Sequence, residues 1–306
     1  MAYRFKLDVA SIQDGVREIA GELIDDAIED TGAKRRDVSE VVHSSRKACK
    51  KLRGLIRLVR PVFDDYRPEN VAFRNAGRGL SALRDGSVLI ETYDGLLETY
   101  GEKVDRSKFA PIRRRLTLLQ KEATEREDIP QMLDIFRQSM SAARKRVRRW
   151  NISGDEFEAL EPGVRRSYKG AQRAMDAAAT NPTAETVHEW RKRVKDHWYH
   201  ARLLCPIWQK PMKVHGDVAN QLGDLLGKHH DLEVFMQRLA DEKLGEANAL
   251  EVLLGLARRR QKALEEESFA IGARLLAESA GSLTRRWQSY WEAWRSDGPR
   301  QTAVAA

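Results

Sequence analysis

The sequence predicts an all-α fold made of two similar helical halves. Apolar residues recur at three- and four-residue spacing through nearly every long segment, which is the period of an amphipathic helix. Pro61, Pro68, Pro111, Pro130, Pro162, Pro182, Pro206 and Pro211 fall at or near segment ends, where a missing N–H costs no hydrogen bond. The chain also repeats itself. Shifted by 145 residues, His43, Arg46, Lys47, Lys50, Arg57, Leu58 and Pro61 fall on His188, Arg191, Lys192, Lys195, Arg202, Leu203 and Pro206.

In order, helices are expected at about 11–31, 36–60, 70–100, 107–127, 130–150, 157–180, 183–205, 213–241, 245–277 and 279–295. The first is acid-rich ("ELIDDAIED"), and the second ends at Pro61. The third carries Gly77, Leu80, Asp85 and Val88, which a shift of 146 places on Gly223, Leu226, Asp231 and Val234 of the eighth. Pro111, Pro130 and Pro162 lie near the starts of the fourth, fifth and sixth. Arg113, Arg114 and Arg115 of the fourth match Arg258, Arg259 and Arg260 of the ninth, and the tenth holds the aromatic run "WQSYWEAW". The one strand signal is a short run near residues 3–7. The halves divide near "NISGDE", giving 1–152 and 153–306, each with enough helices for a bundle.

The bulk numbers narrow the function. The 306 residues are 42% hydrophobic and 33% charged, with a net charge of +8, an excess that attracts polyanions. Cys49 and Cys205 stand in no metal-like spacing, so neither a disulfide framework nor a zinc site is expected. No apolar run approaches the roughly 18 residues that span a bilayer, and "MAYRFKLDVA" lacks a secretory apolar core, so a cytoplasmic protein without membrane contact is expected.

The charge is patterned. "VHSSRKACKKLRGLIRLVRP", residues 42–61, has seven Lys or Arg and no acid. On a helix, Val41, Ala48, Leu52, Leu55, Ile56 and Val59 make an apolar stripe, and His43, Arg46, Lys47, Lys50, Arg53 and Arg57 fall opposite it. In the second copy, His188, Arg191, Lys192, Lys195, Tyr199 and Arg202 share a face, with Val194, Ala201 and Leu204 opposite. Like charges at these spacings repel, so the counter-charge is expected from elsewhere. Arg74, Arg78 and Arg84, the run holding Arg165, Arg166 and Arg173, and Lys228 with His230 in "GKHHD" are candidates to join the ridges. The Arg runs at 113–115, 144–149 and 258–260 read equally as solvated surface, and Asp85 and Asp231 as salt-bridge or capping partners.

No HExxH, CxxC, P-loop or GxSxG pattern occurs, and the ridges lack the carboxylates that hold magnesium in phosphoryl transfer, so no catalytic residue, cofactor or metal is assigned. The adjacent His229 and His230 point about 100° apart on a helix and are poorly placed to share one ion. For His43 and His188, a phosphate contact and a structural hydrogen bond both remain open. As a contact, imidazole would gain a proton from the anion, and binding would tighten below about pH 6.5.

The two His-x-x-Arg-Lys-x-x-Lys helices, with "LRDGSV" at 83–88 and "HHDLEV" at 229–234, resemble the CHAD family, the conserved histidine α-helical domain. The resemblance covers nearly the whole chain as one such domain. It implies two four-helix bundles related by a pseudo-two-fold axis around a basic central channel. It also implies non-catalytic binding of inorganic polyphosphate and association with polyphosphate granules. The chain is expected to act as a stand-alone binding module. Because Arg84 is answered by His230, the first face is expected to be the more cationic. The rival readings are an enzyme of phosphate-chain metabolism and a nucleic-acid-binding protein. Single-strand readers add stacking aromatics. Here only Tyr199, with Trp198 at the margin, approaches a ridge, and no helix-turn-helix, RRM or KH signature occurs. Nonspecific nucleic-acid binding at low salt is still expected of such a surface. The oligomeric state is not legible.

Overall fold

The computed structural model describes residues 3–32, 37–101, 105–126, 128–242, 244 and 246–304, and the side chains of 82–85 and 298–304 fall outside the described residues. Arg84 and Asp85 are among the latter. The first half comprises α1 (Ile12–Gly32), α2 (Val38–Leu58), α3 (Tyr66–Arg78), α4 (Ala82–Tyr100), α5 (Ala110–Glu125) and α6 (Ile129–Val147). The second comprises α7 (Glu161–Thr180), α8 (Ala184–Leu203), α9 (Gln209–Glu242), α10 (Ala247–Leu275) and α11 (Ala280–Val304).

The duplication is visible in the packing. α1 lies against α2 and α6, and α7 lies against α8 and α11; α2 packs on α3 as α8 packs on α9. α4 pairs with α5, and α9 with α10. The expected helix at 70–100 is two helices, α3 and α4, whereas its counterpart α9 is continuous. The break falls at Gly79-Leu80-Ser81. Glycine weakens a helix interior by about 1 kcal/mol relative to alanine, and the shift of 146 places Leu225 of α9 where Gly79 stands.

The strand expected near residues 3–7 does not form, and there is no strand among the described residues. The Phe5 amide instead donates to the Leu203 carbonyl at 3.0 Å, tying the N-terminal segment to the end of α8. One isolated antiparallel bridge joins Phe63 and Ile152. The helix starts follow local chemistry. Pro111, Pro130 and Pro162 occupy first turns, Asp128 accepts from the Gln131 amide at 3.0 Å, and Thr183 forms a capping box with Thr186 at the head of α8.

Two apolar cores hold the helices, and each draws on both halves. The larger gathers α1, α2, α3, α6, α7, α8, the start of α9 and α11 around Leu52, Leu55, Ile56, Trp150, Trp190 and Trp287. The smaller joins α4 and α5 to the far end of α9 and to α10 around Ile112, Phe235, Leu239 and Leu253. Both cores therefore run across the expected 152/153 boundary.

Candidate anion-binding surface

The expected apolar stripes are buried. Val41, Ala48, Leu52, Leu55, Ile56 and Val59 face the core from α2, and Val194, Ala201 and Leu204 do so from α8. This burial fixes the rotation of both helices and turns their basic faces away from the core. The two helices then cross at Gly54. A Cβ there would stand 2.8 Å from the Cβ of Tyr199 and 2.9 Å from the Tyr3 hydroxyl, so only glycine permits this approach. The crossing is pinned by buried His200, whose Nε2 lies 3.2 Å from the Gly54 carbonyl and whose Nδ1 lies 2.9 Å from Ser167 Oγ. At its edge the N-terminal end of α7 meets the C-terminal end of α2, where a Cβ on Gly163 would collide with the Leu58 carbonyl.

Cations crowd this crossing. Arg57 donates to Asp196 of α8 at 2.5 Å, and Asp196 also pairs with Arg193 at 3.1 Å. On the other side, Lys51 and Arg202 both sit 5.7 Å from the centre of the Tyr3 ring, whose hydroxyl donates to the Lys51 carbonyl at 2.8 Å. Lys195 and Arg202 lie over Trp198 at 4.5 and 5.0 Å. Burial, then the Arg57 and Arg74 charges, push Arg53 down to about 10 against the pull of Asp196 and Tyr66. Burial, then Arg202 and Lys47, likewise lower Lys51. Burial lowers Lys195 even though Asp224 pulls the other way. Cations held down by burial and by one another gain from an incoming anion.

Part of the counter-charge is internal, which the absence of acid from the first ridge did not foretell. Lys195 donates to Asp224 at 2.7 Å and to Asn220 at 3.3 Å, and Lys192 and Arg193 both pair with Glu189. Arg53 donates to Asn70 at 3.1 Å. Arg46 donates to the Gly77 carbonyl at 3.3 Å and to Ser81 Oγ, occupying the helix break. His43, Lys47 and Lys50 are exposed on α2, and Arg74 is half-exposed and Arg78 exposed on α3.

The remaining expected residues separate into two groups. His188 packs on His230 of α9, with ring centres 4.1 Å apart, so α9 brings His230 to the second ridge while Lys228 stays exposed. Its neighbour His229 is buried against Glu265 at 2.7 Å, so the two adjacent histidines do point apart. Asp231 is partly buried and has a partner. Arg165, Arg166 and Arg173 lie on the exposed face of α7, Arg165 paired with Glu161 at 3.7 Å. Tyr199 is buried edge-on to Tyr3 at 5.8 Å, and Trp198, half-buried beneath two cations, is the aromatic nearer the surface. Lys51 and the buried Tyr3 and Asp196 belong to the crossing but were not singled out by sequence. Lys51 was legible as a further cation of the run, whereas nothing in the N-terminal segment signals Tyr3.

No described helix is long and apolar enough to cross a membrane. Comparison with known proteins agrees with this architecture. No curated protein matches the chain. The crystal structure of the CHAD domain from the plant Ricinus communis is similar over 92% of this chain and 98% of that one, with a TM-score of 0.61 at 17% identity, a likeness of fold. The family model for the CHAD domain matches residues 18–240, which include both basic helices and the crossing between them. On that match, over most of its length, the chain belongs to the CHAD domain family.

Proposed function

We propose that this chain binds inorganic polyphosphate without hydrolysing it, in a basic furrow whose floor is the crossing of α2 and α8 and whose sides are α3, α4 and α9. The observation that carries the reading is the contact of Gly54 with Tyr199, which merges two separate basic ridges into one surface. The depressed Arg53, Lys51 and Lys195 favour a ligand that is all charge. The burial of Tyr199 leaves few aromatic faces for bases, which favours a phosphate polymer over nucleic acid. Membership of the CHAD family points the same way and supports attachment to polyphosphate granules.

The furrow follows from a pseudo-two-fold arrangement of the halves. Gly54 and Tyr199 are 145 positions apart and touch, as equivalent residues do beside a two-fold axis. The Arg57–Asp196 pair has Arg202–Lys51 as its counterpart at the same shift, opposite charges on one side and like charges on the other.

A titration with polyphosphate of defined length at physiological salt tests the function, run with oligonucleotide competition and an assay for released orthophosphate with and without magnesium. The reading expects saturable binding, easy displacement of oligonucleotide and no release. Release of orthophosphate would make the chain an enzyme, and preference for the oligonucleotide would make it a nucleic-acid binder.

A further inference from the structure

The two halves differ where α3 lies against α6. A shift of 144 places Trp150 on Trp294 and Ala143 on Trp287. Met140, Ala143 and Val147 are buried, as are their counterparts Thr284, Trp287 and Trp291, which supports the register. In the second half the Trp287 ring lies 5.5 Å from that of His197 on α8 and 5.4 Å from that of His215 on α9, and so fills the space between the three helices. The first half has only Ala143 at this place. On the facing wall, Ala76 of α3 stands where a shift of 146 places Leu222. The small residues leave a cleft of about 460 Å³ between α3 and α6, a size usual for small-ligand sites.

The cleft is a straight apolar trough. Near the end of α6, Arg146 donates from Nε and Nη2 to Glu69, near the start of α3, at 2.7 and 2.9 Å, so the two helices run antiparallel. The floor is buried Phe73, Phe136 and Met140, and the lip carries Ile135, which is 57% exposed. The trough is separate from the furrow, because α3 meets Arg53 and Arg46 through Asn70 and the Gly77 carbonyl, on another of its faces. Arg146 is the one charged side chain lining the trough among the described residues. Glu69 engages two of its five N–H donors and leaves the others for a second anion. The α3 wall runs from Ala72 to Leu80, about 12 Å of helix, which is short for the roughly 800 Å² per partner of a stable protein interface.

We propose that the α3–α6 trough is a second binding site, for the aliphatic chain of an anionic amphiphile: the chain lies along Phe73, Phe136 and Met140, and the anionic head sits at the Arg146 end. A linear apolar trough suits a flexible chain, and a single cation at one end sets its direction. A free fatty acid and an acyl chain drawn from a bilayer share this chemistry. The site is independent of the polyphosphate reading, since it shares no residue with the furrow.

The test is a calorimetric titration of the full chain with octanoate, decanoate and laurate, and with dodecyltrimethylammonium as the cationic counterpart. Saturable binding at one site is expected, tightening about fourfold per added CH₂. Laurate should bind about tenfold more tightly than the cation, as a charge-assisted contact with Arg146 requires. Ala76→Leu, which copies the second half, should weaken laurate binding at least about tenfold by filling the trough. Ile135→Glu changes only an exposed position and should weaken it comparably by setting an acid at the lip, so it decides the question if Ala76→Leu does not fold. Lys50→Glu/Lys192→Glu, in the furrow, should leave laurate binding unchanged. No saturable binding, folded trough variants that bind like the wild type, equal binding of the cation, or loss of laurate in the furrow variant overturns the proposal. Cosedimentation with phosphatidylglycerol vesicles, read as the difference between wild type and Ala76→Leu, identifies the source: a weaker variant marks a bilayer chain, and no difference marks the free fatty acid.

Discussion

Gly54 and Tyr199 touch across the crossing of the two basic helices, and nothing larger than glycine fits between them. Every ridge residue depends on this approach, because it sets the distance between the two sets of cations. Gly54→Ala is expected to destabilise the fold by about 1–3 kcal/mol, the usual cost of overpacking, although alanine is the better helix former. Urea unfolding followed by circular dichroism measures this. A variant as stable as the wild type, or more so, would mean that the helices are not held this closely.

Asp196 is the acid that lets Arg57 and Arg193 lie together at the crossing. Burial raises its pKa, while Arg57, Arg193 and Arg53 draw it back, so its charge matters to the cations around it. Arg57 is partly exposed, which softens the loss below that of a fully buried pair. Asp196→Asn should cost about 2–3 kcal/mol of stability. In the same variant the furrow gains net positive charge, so polyphosphate binding should hold or tighten. Loss of stability and affinity together would contradict this division of roles.

Stability should fall as pH drops from about 7 to 5.5. Burial holds His200 down to about 3, His215 to about 4, and His197 well below its ordinary value. In the unfolded chain these groups titrate near pH 6.5, so below that point the unfolded state binds protons that the folded state refuses. The stability contributed by the neutral imidazoles is complete above the unfolded value and is lost as pH falls toward the folded one. Melting temperature measured against pH checks the sign, and a flat or rising profile on acidification would contradict it.

Polyphosphate binding should take up protons. His188 and His230 are neutral in the free furrow, and a phosphate beside them favours the charged form. Affinity should therefore rise as pH falls from about 7 to 6. Calorimetry in buffers of different ionisation enthalpy counts the protons directly. Uptake should shrink when His188 is replaced by Gln. Proton release, or uptake unchanged in that variant, would place the histidines outside the site.

The sequence was informative where periodicity and repetition act together. The apolar stripe of α2 specified its rotation, and the repeat tied His43 to His188 and Lys50 to Lys195 before any contact was known. The break at Gly79–Ser81 was missed because the apolar pattern runs through it, and one glycine does not announce a helix end. The pairing of Arg57 with Asp196 was not legible, since it depends on the crossing of two helices 139 positions apart in the chain. Tyr199 was assigned to the ridge by its angle on α8. Its burial comes from Tyr3, whose position no local pattern could give.

The most direct test of the account is a polyphosphate titration of the wild type against Lys50→Glu/Lys192→Glu, at several salt concentrations. Both lysines are exposed and the Lys192–Glu189 pair lies in solvent, so the fold should survive, whereas Lys195 is more deeply buried and held by Asp224 and would confound stability with binding. Wild-type affinity should fall steeply with salt, with a log–log slope of about −3 or steeper for four or more phosphate contacts, and the double variant should bind at least about a hundredfold more weakly. A shallow salt dependence, or a double variant that binds as well as the wild type, would contradict the claim that these two helices form one polyphosphate-binding surface.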